Sequence, residues 1–179
     1  MRRLAVLSML AAVLMISACD QIPFSVSLPI VLTDLSLTTP DTLSEVVFYR
    51  KVVTVAEYDN FSQYIDFTER VSVDSAFLRL VNHSASPTHL TVWVSDDTTL
   101  TLGTVGEAQR LLEVEIGGDT MQRYTGEEFL DTTGLNLLQE QLIPDGLFAL
   151  YFLGTTQAAG RVNLWVDSLA LYVHLEGVR

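Results

Sequence analysis

Residues 162–175 read VNLWVDSLALYVHL, and this stretch decides the fold because its apolar residues recur at every second position. A period of two is typical of a β-strand with one buried face. The apolar residues up to Val166 occupy one parity, and those from Leu169 onward occupy the opposite parity. This change at Asp167-Ser168 predicts a β-bulge within one long strand.

The same alternation recurs along the chain and predicts about eight short strands, at 24–30, 46–55, 64–67, 71–80, 89–95, 111–116, 147–153 and 162–175. Capping-box patterns at Thr104 and Thr125 predict short helices, and Leu135, Leu138 and Leu142 share a further helical face. We therefore predict an all-β fold, a β-sandwich of about eight mostly antiparallel strands with one or two short connecting helices. A closed barrel is the alternative.

Composition and charge limit the classes of function. The chain has 179 residues and a formal net charge of −12, and its size suits one domain. We predict that residues 24–179 form a single β-sandwich domain. An acidic chain without a basic face argues against nucleic-acid binding, because phosphates require clustered Lys and Arg side chains.

The first 20 residues form a segment of a different kind. Two arginines and an apolar run of 13 residues precede Cys19, the only cysteine. This pattern is typical of a secretory signal, and Ile16-Ser17-Ala18-Cys19 resembles the lipobox of bacterial lipoproteins. The alternatives are an ordinary secretory signal and a membrane-spanning helix, for which the run is short of the required length of about 20 residues.

The resemblance covers residues 1–20 only, and it implies how the chain is processed. Residues 1–18 would be the signal peptide, with cleavage between Ala18 and Cys19. Residues 19–23 would be a lipidated N-terminus and short tether, attached to a membrane through Cys19. It further implies a location in the bacterial cell envelope, with the periplasmic face of the inner membrane favoured by Asp20 and the outer membrane or cell surface as alternatives.

The predicted function follows from this anchor and from the absence of a catalytic motif. We expect a membrane-anchored lipoprotein that serves as a non-enzymatic binding or structural module, with a protein partner in the cell envelope. Trp93 and Trp165 lie opposite the aliphatic parity of their strands, so they are candidate ligand-binding residues on an outer face. The alternative function is therefore carbohydrate or small-ligand binding. A covering helix or loop, or a reversed parity, would remove that site.

Other chemistry-bearing residues have simpler explanations. His83 and His89 lie six residues apart without a clear third ligand, and Asp96-Asp97 suits a turn better than a calcium loop. Glu127, Glu128 and Asp131 could supply an acid–base pair for a hydrolase, although acidic residues are also expected where a helix begins. We predict no metal, no cofactor and no catalytic residue.

Overall fold

The computed structural model describes residues 22–39, 45–58, 61–143, 146–156 and 161–179. Its regular elements are β1 (Pro23–Thr38), β2 (Val46–Thr54), β3 (Thr68–Asn82), β4 (Thr88–Ser95), β5 (Gln109–Ile116), β6 (Thr120–Gly126), α1 (Thr132–Leu142), β7 (Leu147–Thr156) and β8 (Asn163–Val178). Single 3-10 turns occupy Val55–Glu57, Phe61–Gln63, Ile65–Phe67 and Val105–Glu107.

The strands form two four-stranded antiparallel sheets, in the orders β1-β8-β3-β6 and β2-β7-β4-β5. We call them the first and the second sheet. Their inner faces enclose one continuous core of aliphatic and aromatic side chains, including Leu78, Leu90, Phe152 and Leu164. The prediction of an all-β sandwich with short connecting helices is confirmed.

A pair of bulges explains the parity change in β8. Thr33 pairs with Ser168 and Leu35 pairs with Val166, so that Asp34 and Asp167 are both left out of the β1–β8 register. Asp34 adopts a positive φ of 59°, a conformation that Asp tolerates better than most residues. The slip keeps the apolar residues on both sides of the bulge directed into the core.

Three local predictions are wrong. Residues 64–67 do not form a strand, because Ile65–Phe67 is a 3-10 turn. The Thr104 pattern precedes only the 3-10 turn Val105–Glu107. The Thr125 pattern begins at the end of β6, a strand that the sequence did not predict, and continues into the turn that follows it. The third predicted helix is present as α1, and Asp131 caps it by accepting a hydrogen bond from the Thr133 backbone N–H at 2.9 Å.

The first and last described residues of the chain are joined by backbone hydrogen bonds. The Ile22 N–H donates to the Arg179 carbonyl at 2.9 Å, and the Arg179 N–H donates back at 3.0 Å. β1 and β8 therefore bring the start and the end of the described chain to one corner.

The only α-helix of regular length among the described residues is too short and too polar to cross a bilayer.

Candidate functional site

Trp165 lies on what we call the open face, the outward side of the first sheet. It is 46% exposed, as its parity indicated. Strand pairing places Val81 beside it on β3 and Met121, 54% exposed, beyond that on β6. The Trp165 ring also contacts the His83 ring edge-on, with centroids 5.6 Å apart. An apolar row thus crosses the sheet at this end.

Apolar side chains continue toward the centre of the open face. Ala170 lies between Val31 on β1 and Phe77 on β3, and Tyr172 is paired with Pro29 on β1. Four large hydrophobic residues are exposed on this one face: Val31, Met121, Trp165 and Tyr172. An extended apolar patch on a folded surface is typical of an interaction site.

Two arginines interrupt the apolar surface between the Trp165 row and the centre. Arg79 and Arg123 are direct cross-strand neighbours, an arrangement in which like charges repel. Arg79 forms an ion pair with Asp167 on β8. Within the described residues, no salt bridge includes Arg123. This arginine pair therefore carries one uncompensated positive charge.

Carboxylates surround a histidine at the opposite end of the open face. His174 Nδ1 lies 3.5 Å from the Asp74 carboxylate, and its Nε2 lies 3.4 Å from the Glu176 carboxylate. Ser27 Oγ donates to Asp74 at 3.1 Å and lies 2.9 Å from His174 Nδ1. We call Asp74, His174 and Glu176 the acidic cluster. Sequence reasoning missed it because β3 and β8, which are far apart in the sequence, supply its members. The outward parity of His174 was the one available signal.

The acidic cluster has part of the geometry of a nucleophile–base pair. Ser25 Oγ lies 3.1 Å from His174 Nε2, and Asp74 approaches the other ring nitrogen. Acyl transfer also needs N–H donors aimed at the developing oxyanion. β8 lies between two strands, so its backbone N–H groups are used in the sheet. We therefore interpret these contacts as a hydrogen-bonded surface network.

Trp93 lies on the second sheet, beneath a segment that we call the covering segment, residues 96–108. Together with Phe48 it packs against a small separate core formed by Leu100, Val105, Ala108, Ala149 and Tyr151. The Tyr151 hydroxyl fastens the segment, donating to the Asp97 carbonyl at 2.5 Å and accepting from the Leu100 N–H at 3.1 Å. Burial raises the pKa of Tyr151. Trp93 is half-buried, and it does not share a face with Trp165.

An open groove of about 380 Å³ lies beside Trp93. Arg110 lies in it, 2.6 Å from the Glu113 carboxylate and 3.1 Å from the Asp131 carboxylate. The backbone N–H of Thr133 and then the Arg110 guanidinium lower the pKa of Asp131. These charged groups bind one another, and Asp131 serves as a helix cap instead of an acid–base residue.

The remaining candidates lie apart from one another. His83 contacts Trp165, whereas His89 lies on β4 with Glu115 at 3.8 Å. Across the part of the chain that the structure describes, no three metal-binding side chains come together. The hydroxyl and the backbone N–H of Thr99 lower the pKa of Asp97, which they bond at 2.6 and 2.7 Å, so Asp96-Asp97 lies in a turn.

Ala18 and Cys19 lie outside the described residues, so their predicted cleavage and lipidation stay predictions.

Comparison with known proteins gives structural neighbours only. No protein-family model and no curated protein matches the chain. A Desmodium yellow mottle tymovirus structure resembles it with a TM-score of 0.40 and 17% identity, covering 88% of this chain and 90% of that one. A mud crab tombus-like virus structure resembles it with a TM-score of 0.46 and 11% identity, covering 89% of this chain and 82% of that one. The decameric BFDV capsid protein has a TM-score of 0.43 and 10% identity, covering 86% of this chain and 99% of that one. At these scores the likeness assigns no function.

These neighbours nonetheless correct the functional prediction. They are viral proteins, not membrane-anchored lipoproteins of a bacterial envelope. The predicted function as an envelope lipoprotein is therefore contradicted. The predicted membrane attachment and envelope partner through Cys19, and the cell-envelope location that Asp20 was used to refine, are contradicted by the same comparison.

Proposed function

We propose that this protein is a structural building block that associates with a second copy of itself through the open face. The observation that carries the proposal is an exposed, apolar-centred sheet face that is nearly neutral, on a chain of net charge −12. The outward charged residues of β3, β6 and β8 on this face comprise three cations and three carboxylates: Arg70, Arg79, Arg123, Asp74, Asp167 and Glu176. The bulge in β1 adds one more exposed carboxylate, Asp34.

The size of the open face suits a stable pair. β1 and β8 have 16 residues each, β3 has 15 and β6 has 7. With a rise of about 3.3 Å per residue and a strand spacing of about 4.8 Å, the face measures about 800 Å². A standard protein interface buries about 800 Å² on each partner.

The charge distribution favours this face over the rest of the surface. Two strongly acidic molecules repel each other wherever acidic surface meets acidic surface. The open face carries three of the ten Lys and Arg residues of the chain. Two copies can therefore approach through it without that repulsion and bury Trp165, Met121 and Tyr172 together.

We expect Trp165→Glu to weaken self-association by at least about 30-fold, because a buried tryptophan at an interface contributes about 2 kcal/mol or more. The measurement is sedimentation velocity of the protein over a range of micromolar concentrations. The sample is the full chain after any processing by the expression host. Leu102→Glu is the matched control, because Leu102 is 50% exposed but lies on the covering segment. A wild-type chain that stays monomeric throughout, or equal behaviour of the two variants, would overturn the proposal.

Processing at the N-terminus is a separate proposal that rests on sequence alone. We infer that residues 1–18 are removed and that Cys19 is acylated, without assigning a membrane or a partner. Intact-mass measurement of the chain from a bacterial host should show the mass of residues 19–179 plus acyl groups. Cys19→Ala should retain the full precursor mass. An acylated Cys19→Ala protein would contradict the inference.

A further inference from the structure

We propose that the pair is isologous, with the arginine pair of each copy lying opposite the acidic cluster of the other. This inference rests on the proposed self-association and names its geometry. An isologous contact uses the same patch twice, so the patch must be complementary to itself after a two-fold rotation. The open face meets this condition because the arginine pair and the acidic cluster lie on opposite sides of the midpoint of its strands.

The order of the rows along β8 shows the complementarity. From one end to the other, the outward residues of β8 are Trp165, Ser168 level with Arg79, Ala170, Tyr172, His174 and Glu176. The centre of this series falls between Ala170 and Tyr172. A two-fold axis there, lying in the interface and running across the strands, superimposes the row of Arg79 on the row of His174.

The same rotation pairs the apolar rows. The row of Phe77, Ala170 and Val31 comes to lie opposite the row of Tyr172 and Pro29 of the second copy. These two rows are next to the axis, so the apolar centre is buried and the charged rows lie outside it. Trp165 lies beyond the arginine pair, at the outer end of the interface, opposite Glu176 of the second copy. This arrangement, an apolar centre with a polar rim, is the usual anatomy of a protein interface.

The charges then compensate across the interface. The rotation places Arg79 over the row of Ser72 and His174, and Asp74 lies in the bulge beside this row, 3.5 Å from His174 Nδ1. The acidic cluster of each copy therefore lies opposite Arg79 of the other copy, with Arg123 one strand away. The uncompensated charge of Arg123 is thus near a carboxylate, and by symmetry this occurs twice in each pair.

Other registers lack this compensation. If the two faces met with their strands in the same direction, the two-fold axis would run along the strands and reverse the strand order, so the arginine pair would face β8 and β1. Each row would then meet the same row of the other copy, and the acidic cluster would lie level with the acidic cluster, where like charges repel. The positions of the arginine pair and the acidic cluster along the strands therefore favour the antiparallel two-fold register over the parallel one.

Charge reversal tests the register. We expect Arg123→Glu and Asp74→Lys each to weaken the homodimer at least about tenfold, because each replaces an attraction between opposite charges with a repulsion between like charges. A mixture of the two variants in equal amounts should recover an affinity close to wild type. In that mixed pair the introduced glutamate meets the introduced lysine in one half, and the native Arg123 meets the native Asp74 in the other. Sedimentation velocity of each full-length variant alone and of the mixture gives the three constants.

The outcomes separate this inference from the proposed function. If the wild-type chain pairs but the mixture does not recover, the register is wrong and self-association stands. If the wild-type chain does not pair at all, both proposals fail. Should Asp74→Lys fail to fold, as judged by circular dichroism, Ser72→Arg supplies a positive charge in the row of His174, beside Asp74, and leaves the contact of Asp74 with Ser27 in place.

Discussion

Asn82→Asp should lower the free energy of unfolding by about 3–5 kcal/mol, the usual cost of leaving a buried charge without a partner. Asn82 is 1% exposed. Its amide nitrogen Nδ2 lies 3.0 Å from the Ser86 carbonyl, 3.1 Å from the Gly117 carbonyl and 3.4 Å from the Ile116 carbonyl. Aspartate keeps the shape of the side chain but replaces this donor with an oxygen that faces three other oxygens.

The effect should be large because Asn82 connects the two sheets. It ends β3 in the first sheet, whereas Ser86 lies just before β4 and Ile116 and Gly117 lie at the end of β5, both strands of the second sheet. Its Oδ1 also accepts from the Ser84 N–H at 2.9 Å, which fixes the turn between β3 and β4. Urea unfolding of the two proteins followed by tryptophan fluorescence measures the difference.

Asn163→Asp is the matched control for this change. Asn163 is partly exposed, and its Oδ1 only accepts a hydrogen bond from Thr38 at 3.2 Å. A surface substitution of this kind should change the stability by less than about 0.5 kcal/mol. Equal urea midpoints for Asn82→Asp and Asn163→Asp would show that the Asn82 contacts do not stabilise the fold.

Gly134→Ala should destabilise the protein by about 3 kcal/mol, the upper part of the range for overpacking a core. Gly134 lies in the first turn of α1, where a Cβ would stand 2.1 Å from the Arg110 carbonyl oxygen. Helix propensity alone favours alanine over glycine by about 1 kcal/mol. The clash is with backbone, which cannot rotate away, so we expect the steric effect to exceed the gain in propensity.

The melting temperature provides the measurement for Gly134→Ala. A loss of about 3 kcal/mol corresponds to a decrease of about 6–12 °C in a domain of this size. Gly106→Ala is the control, because no atom lies within 4 Å of the position that a Cβ would take there. A melting temperature for Gly134→Ala at or above that of Gly106→Ala would mean that α1 can move away from β5.

Strands that carry an apolar face could be predicted from sequence, and strands without one could not. β8 and β4 alternate clearly because one of their faces lies in the core. β7 is a continuous apolar run because one of its faces lies in the main core and the other in the small separate core. β6 reads TMQRYTG and is an edge strand with mostly exposed residues. Its only partner is β3, which lies about 40 positions earlier, so no local pattern marks it. The Thr125 capping box is a local pattern that strand pairing overrides.

The open face was only partly predictable for the same reason. Parity placed Trp165 outward, but the neighbours that make it part of a surface depend on strand order. Arg79 and Arg123 become neighbours only when β6 pairs with β3, and Asp74 meets His174 only when β3 pairs with β8. Trp93 has the same parity signal as Trp165, yet the covering segment buries half of it, which alternation within β4 does not encode.

The joining of Ile22 to Arg179 has a consequence for anything attached to the chain. A label fused after Arg179 leaves the sandwich beside the point at which Ile22 enters it, so both attachments share one corner. In the proposed antiparallel pair, the two such corners lie at opposite ends, about 50 Å apart along strands of 16 residues. The pair then holds two attached groups apart, with one attachment point at each of its ends.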